Sequence, residues 1–151
     1  MEIDLTPVRY GRAKARRGFS DLMDIYEQNY IRLRNLAPDL KNSDHMISSV
    51  PGHQSLYLSI GERCKFTTML SLTYKFGPDK NPIFEPDLRL KIYHDARVAE
   101  VQQFHTRRFG KIEFSEELEE KWRMNRFLHK WLGFCQFQGH YFQPISHLNK
   151  R

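Results

Sequence analysis

Between Leu88 and Gln103 apolar and polar residues alternate on both sides of Asp95-Ala96, the pattern of a strand, a tight turn and a returning strand. With Asp95-Ala96 as the turn, His94 faces Arg97, Tyr93 faces Val98, Lys91 faces Glu100, Leu90 faces Val101 and Leu88 faces Gln103. Strand side chains alternate between faces, so Leu88, Leu90, Ile92, Ala99 and Val101 share one side. Arg89, Lys91, Tyr93, Val98, Glu100 and Gln102 share the other. One face is therefore expected to be core and the other a polar surface.

The rest of the chain supplies partners for that hairpin. Leu22, Ile25, Tyr26, Asn29, Leu33 and Leu36 recur at three and four, the spacing of one helical face. Ser20 is the expected N-cap, and Pro38 sets the end of the helix. Residues 38–54 read as loop, with a short strand possible from His45 to Val50. The period then becomes two: Leu56, Leu58 and Ile60, a turn at Gly61-Glu62, and Phe66 to Phe76 predict a second hairpin. Pro78, Pro82 and Pro86 punctuate the connection to the first. Phe104 to Phe114 reads as the end of a strand and a turn at Gly110. From Ser115, four glutamates precede Lys121, Arg123, Arg126 and Lys130, and Leu118, Trp122, Leu128, Trp131, Leu132 and Cys135 form a broad apolar stripe. Gly139 ends this second helix. The order predicts an α+β domain in two layers, an antiparallel sheet of four or five strands against an N-terminal and a C-terminal helix. Its expected limits are residues 19–143, with a basic, flexible extension at 1–18 and a basic tail at 144–151.

Composition narrows the classes. At 151 residues with 40% hydrophobic content, the chain has enough apolar side chains for one core, and no apolar run reaches the length of a membrane span. Without an export leader at its start, the expected compartment is the cytoplasm. Cys64 and Cys135 stand far apart, outside any metal-ligand spacing, and are expected to be buried, reduced thiols. Of the formal charge of +6, residues 1–17 carry +3 and Lys150 with Arg151 carry +2, so the body is nearly neutral. Arg9, Arg12, Lys14, Arg16 and Arg17 are thus the candidates for nucleic-acid contact, a weaker sign than a basic face on the fold itself.

Candidate chemistry gathers near the central turn. His94 with Asp95 or Glu100 is the pairing that general-base chemistry would use, and Arg89 or Lys91 would meet an anion. No nucleophile stands at a recognisable spacing, so Asp95 as turn former and His94 as a strand-end residue is the plainer account. Arg89, Lys91, Tyr93, Arg97, Arg107 and Arg108 are the candidates for binding a ligand or partner. The aromatics from Trp122 to Phe137 fit helical core better than a stacking platform for single strands. Asn29 and Asn125 lie within apolar stripes, where a buried amide must be hydrogen-bonded and so ties elements together. His45, His53, His105, His129, His140 and His147 form no metal motif. No GxGxxG or GxxxxGK[ST] loop occurs, which removes the usual dehydrogenase and nucleotide-loop enzymes and leaves no expected cofactor.

Tyr93-His94-Asp95-Ala96 followed by Val98-Ala99-Glu100-Val101, with Phe66-Thr67-Thr68 and with Asn125, Phe127, Leu128, Trp131, Leu132 and Cys135, resembles the YqiB-like family. These are small proteobacterial proteins classed as a domain of unknown function. The resemblance runs from about Phe19 to Cys135 and implies a bacterial protein without an established activity. The reading that follows is a non-catalytic binding or adaptor module, using a polar sheet face around Tyr93, His94, Asp95 and Glu100 for an unknown protein partner or a small anionic ligand. The alternatives are a small hydrolase of phosphorylated metabolites using His94, and RNA binding through residues 9–17.

Overall fold

The computed structural model describes residues 18–107, 110–113 and 117–144. Residues 1–17 of the basic extension and 145–151 of the tail lie outside these residues. The first helix, α1, runs Phe19–Leu36, starting two residues earlier than Ser20 as N-cap would have it. Gly18 takes the capping position, and its N–H donates to Asp21 Oδ2 at 2.9 Å. The carboxylate three residues on thus satisfies the N–H of the capping residue, the half of a capping box that a side chain at this position supplies. Pro38 ends the helix as expected, with the Ala37 N–H donating to Leu33 O at 2.8 Å.

Six strands follow: β1 (His45–Ser48), β2 (Ser55–Arg63), β3 (Thr67–Phe76), β4 (Ile83–Tyr93), β5 (Val98–Thr106) and β6 (Gly110–Glu113). They form one antiparallel sheet in chain order. The count exceeds the expected four or five because Gly110, at φ 68, opens a further short strand rather than only making a turn. Gly61 does not turn the second hairpin either. It is the extra residue of a bulge between Ile60 and Glu62, and β2 continues to Arg63 before turning at Cys64-Lys65-Phe66. Cys64 is consequently exposed, whereas Cys135 is fully buried.

The aliphatic rows line up across the strands. Leu58, Leu72, Leu88 and Phe104 are successive partners, as are Leu70, Leu90 and Val101, and all are buried. Lys91 opposes Glu100 and Leu90 opposes Val101, as the alternation predicts. Leu88, however, faces Phe104 instead of Gln103, because a bulge after Val101 accommodates one extra residue. Two consecutive glutamines between the inward Val101 and the inward Phe104 are its trace in the sequence.

The second helix, α2, spans Leu118–Gln138 and ends at Gly139, whose φ of 100 is the left-handed cap that glycine takes without a steric cost. Its buried side from Met124 to Cys135 covers the inner face, where Phe104 meets Phe127 edge-on at 4.6 Å and Tyr74 meets Trp131 at 5.2 Å. Helix α1 takes a different place from the one expected of a helix laid flat on the sheet. It packs on α2 and on β5, and while Leu33 and Leu36 join the main core, Leu22, Ile25 and Tyr26 close around Val98 on the opposite face. The helix therefore passes the edge of β5, shielding backbone that β6 leaves unpaired before Gln103.

Candidate functional site

The turn between β4 and β5 decides where the sequence candidates point. A two-residue turn needs left-handed backbone that Asp95-Ala96 has no glycine or asparagine to provide. The connection instead takes four residues, His94 to Arg97, and only Arg97 adopts positive φ, at 55. His94 does not pair with Arg97. Its backbone N–H donates to Phe66 O at 2.8 Å, and its Nε2 shares a 2.7 Å hydrogen bond with Thr68 Oγ1. Thr68 is a buried inner-face residue opposite Ile92, so His94 belongs to the core side.

Tyr93 and Glu100 lie on the other side of the sheet. Glu100 Oε1 accepts from the Tyr93 hydroxyl at 2.7 Å and from Gln102 Nε2 at 2.7 Å. Burial first, and then Glu100, push the Tyr93 phenol up to about 12. Burial followed by the charge and hydrogen bonding of Glu100 also raises Tyr26 on α1. This carboxylate joins a helix to two strands. The expected His94–Glu100 pair is not assembled, because one-residue steps along a strand alternate faces. Asp95 is exposed on the turn.

The expected cationic patch is dispersed. Arg89 and Lys91 are on the outer face, with Lys91 Nζ 5.0 Å from the Tyr93 ring centroid and Glu100 across from it. The Arg107 N–H donates to Glu85 Oε1 at 2.9 Å at the far end of the hairpin. Arg108 and the basic residues Arg9 to Arg17 lie outside the described residues.

What the structure does bring together is a groove along the solvent side of α1. One hollow of about 370 Å³ is bounded by Tyr30, Leu33, Arg34 and Ala37, by the loop Pro38 to Lys41, and by Ile92 and His94. A second, of about 400 Å³, is bounded by Glu27, Tyr30, Ile31, Arg34 and Asn35 and by Ala96 and Arg97 of the turn. Tyr30 and Arg34, one helical turn apart, line both and form the ridge between them. The loop wall is pinned from β2 by the Arg63 guanidinium, which donates to Leu40 O, to Ser43 O and to Asp44 Oδ1. Arg34, Lys41 and Arg97 have no side-chain hydrogen bond or ion pair with any described residue.

Two members of the original candidate set, His94 and Arg97, therefore border adjoining hollows. Tyr30, Arg34 and Lys41 carry no sequence signal of their own. Tyr30 and Arg34 look like ordinary flank positions of an amphipathic helix, and Lys41 like a loop cation.

A larger hollow of about 590 Å³ lies beside β1 and the segment Tyr141 to Gln143. Ser48 in its wall shares a 2.9 Å hydrogen bond with His140 Nδ1, the pairing of a hydroxyl and a base. Ser48 Oγ also accepts the Tyr141 N–H at 3.0 Å, and Ser48 and His140 are buried. With both sides of its hydroxyl engaged, Ser48 braces the C-terminal segment against β1. Among the described residues no group of three or more His, Cys, Asp or Glu side chains is placed to hold a metal, and no helix is long and apolar enough to cross a membrane.

Comparison with known proteins gives a family without an activity. The chain is 29% identical over 133 residues to uncharacterized protein YqiB of Escherichia coli K12, covering 84% of this chain and 94% of that protein. The same identity and coverage hold for YqiB of the O6:H1 strain CFT073 and of O157:H7. No solved structure matches. A family profile described as a protein of unknown function, DUF1249, matches residues 32–141, well over half of the chain, and the chain belongs to that family, as the YqiB-like motif around Tyr93 to Val101 implied.

Proposed function

We propose that the protein is a non-catalytic binding module whose site is the groove between α1, the loop Pro38 to Lys41 and the turn His94 to Arg97, and whose ligand is a small anion. The observation that carries this reading is the set Arg34, Lys41 and Arg97, three cations bordering adjoining hollows without a hydrogen-bonded or ion-paired partner among the described residues. Unpaired guanidinium groups beside a concavity favour planar oxyanions, which accept two parallel N–H donors. The strained backbone of Arg97 points the same way, since a bulky side chain at positive φ persists only where its surroundings hold it there. A hydrolase built on His94 lacks its carboxylate partner, and RNA binding through Arg9 to Arg17 rests on residues outside the described structure.

The test is a thermal-shift and calorimetric screen of the full chain against inorganic phosphate, sulfate and simple carboxylates at low ionic strength, where exposed charges are least screened. Binding is expected, and the double variant Arg34→Glu, Arg97→Glu should abolish it. A screen in which no anion raises the melting temperature, or in which charge reversal leaves the shift intact, overturns the proposal.

A further inference from the structure

We infer that the ligand of this groove is an amphipathic oxyanion, a single carboxylate or phosphate head joined to an apolar body that lies across the ridge of Tyr30 and Arg34. The inference rests on the anion-binding reading above and adds the class of molecule.

The two hollows differ in chemistry. The one at the turn has Arg34 and Arg97 against Glu27, a formal excess of one positive charge, with Asn35 as a further polar group. A head of single negative charge balances it. In the other hollow Arg34 and Lys41 stand against Asp39, whose carboxylate already accepts from the Lys41 N–H at 3.1 Å and from Asn42 Nδ2 at 2.9 Å, with His94 at its border. The formal charge of this hollow is therefore the same, and its apolar floor is what sets it apart. Its floor is Leu33, Ala37 and Ile92, each 1% exposed, and its rim includes Leu40 and Pro38. Such walls recognise hydrocarbon by removing it from water and provide few dipoles for a second charged group.

Tyr30 and Arg34 border both spaces, so one molecule reaches both without any change of backbone. The Tyr30 ring offers the middle of the ligand a flat apolar contact, and the Arg34 guanidinium stands where head meets body. The body hollow has room for roughly a dozen water-sized groups at about 30 Å³ each, the scale of an eight- to ten-carbon chain or a two-ring aromatic.

The experiment is isothermal titration of the full chain with acetate, octanoate, inorganic phosphate, octyl phosphate and neutral 1-octanol under one buffer. Octanoate should bind at least tenfold more tightly than acetate, and octyl phosphate at least tenfold more tightly than inorganic phosphate, while 1-octanol shows little affinity. The ratio of octanoate to octyl phosphate then assigns the head as carboxylate or phosphate. Arg97→Gln should weaken every anion. Leu40→Ser should erase the advantage of the long body while acetate and phosphate keep their ratio to each other, with Leu40→Ala as the milder body-side variant should Leu40→Ser fail to fold. Equal affinity for phosphate and octyl phosphate, with no effect of the body-side variants, overturns the inference and leaves the anion site standing. Equal affinity for 1-octanol and octanoate overturns it from the other end, and no binding by any member overturns both readings.

Discussion

Asn125 Oδ1 accepts the backbone N–H of Val101 at 2.9 Å, so a side chain of α2 completes the hydrogen bonding of β5 where β6 does not reach. The same residue donates through Nδ2 to Lys121 O at 2.7 Å and receives Asn29 Nδ2 on its backbone oxygen at 3.2 Å. Both asparagines are at most 1% exposed. This is the tie between helix, helix and sheet that two amides within apolar stripes lead one to expect. It also closes an edge that would otherwise pair with another chain.

Replacing Asn125 by Leu orphans the Val101 N–H, while Asn29 Nδ2 keeps the Asn125 backbone oxygen and loses only its 3.5 Å contact with Oδ1. The expected cost is about 1–3 kcal/mol, the penalty for leaving a buried donor unsatisfied. Asn29→Leu should cost about 1 kcal/mol or less, because Asn29 Oδ1 has no partner among the described residues and its loss relieves a buried orphan. Urea denaturation of the two variants checks the ranking. Equal costs would mean that Asn125 acts by packing alone.

Alkaline pH should weaken the fold through the phenols around Glu100. Tyr93 is pushed up to about 12 in the folded protein by burial and by Glu100, against an ordinary value of 10.0. The unfolded chain therefore releases this proton first, so the contribution is complete below pH 10 and is lost as pH rises from 10 toward 12. Tyr26 changes in the same direction for the same leading cause. Tyr93→Phe should flatten the fall in stability over that window, and Glu100→Gln should lower the Tyr93 value, which ultraviolet titration of phenolate reads directly.

The acid side has the opposite linkage. Burial, and then the charge of His53, lower His140 from 6.5, and burial, then Arg32 and Arg126, lower His129. The unfolded chain takes up these protons near pH 6.5 while the folded chain does not. Stability is thus held above 6.5 and lost as pH falls toward the folded values. His140→Asn should reduce the slope of melting temperature against pH between 6.5 and 5 and leave a remainder from His129. An unchanged slope would assign the acid sensitivity to other groups.

Much of the sheet is legible in the sequence because its inner face obeys a strict period of two. Leu88, Leu90 and Ile92 opposite Ala99 and Val101 allow one register, since a slip by one residue would send all five to the outer face. The bulges at Gly61 and after Val101 interrupt that period, and they displace the turn of one hairpin and the partner of Leu88 in the other. The groove is illegible for a different reason. Tyr30, Lys41 and Arg97 come from a helix, a loop and a turn that only the passage of α1 along the β5 edge brings side by side, and no local periodicity records that route.

Arg63 is expected to govern the groove without touching its ligand. Its guanidinium donates to two backbone carbonyls and one carboxylate of the stretch Leu40 to Asp44, and so fixes the wall that carries Leu40 and Lys41. Arg63→Ala should speed amide hydrogen exchange across 38–44 and weaken anion binding. The loss of global stability should stay under about 1 kcal/mol, as for other exposed ion pairs. Arg63→Lys keeps the charge but not the fork and should resemble alanine in exchange. Unaltered exchange in that stretch would show the loop to be held by Asp39 and its own turn.

Arg97 joins strain and charge in one residue, and substitutions can separate them. Its φ of 55 places a long side chain in left-handed backbone, which costs an L-residue roughly 1–2 kcal/mol, whereas glycine enters that region freely but loses more entropy on folding. Arg97→Gly should therefore gain about 0.5–1 kcal/mol of stability while anion binding falls. Arg97→Ala should lose the binding equally without the gain, since it keeps a Cβ at positive φ. Arg97→Asn should fall between them, because asparagine tolerates this conformation. A glycine variant more stable than the parent but blind to anions would show that the residue is kept for its charge at the expense of the turn. A glycine variant no more stable than alanine would mean that the turn carries no strain, and the case for the site would then rest on the unpaired cations alone.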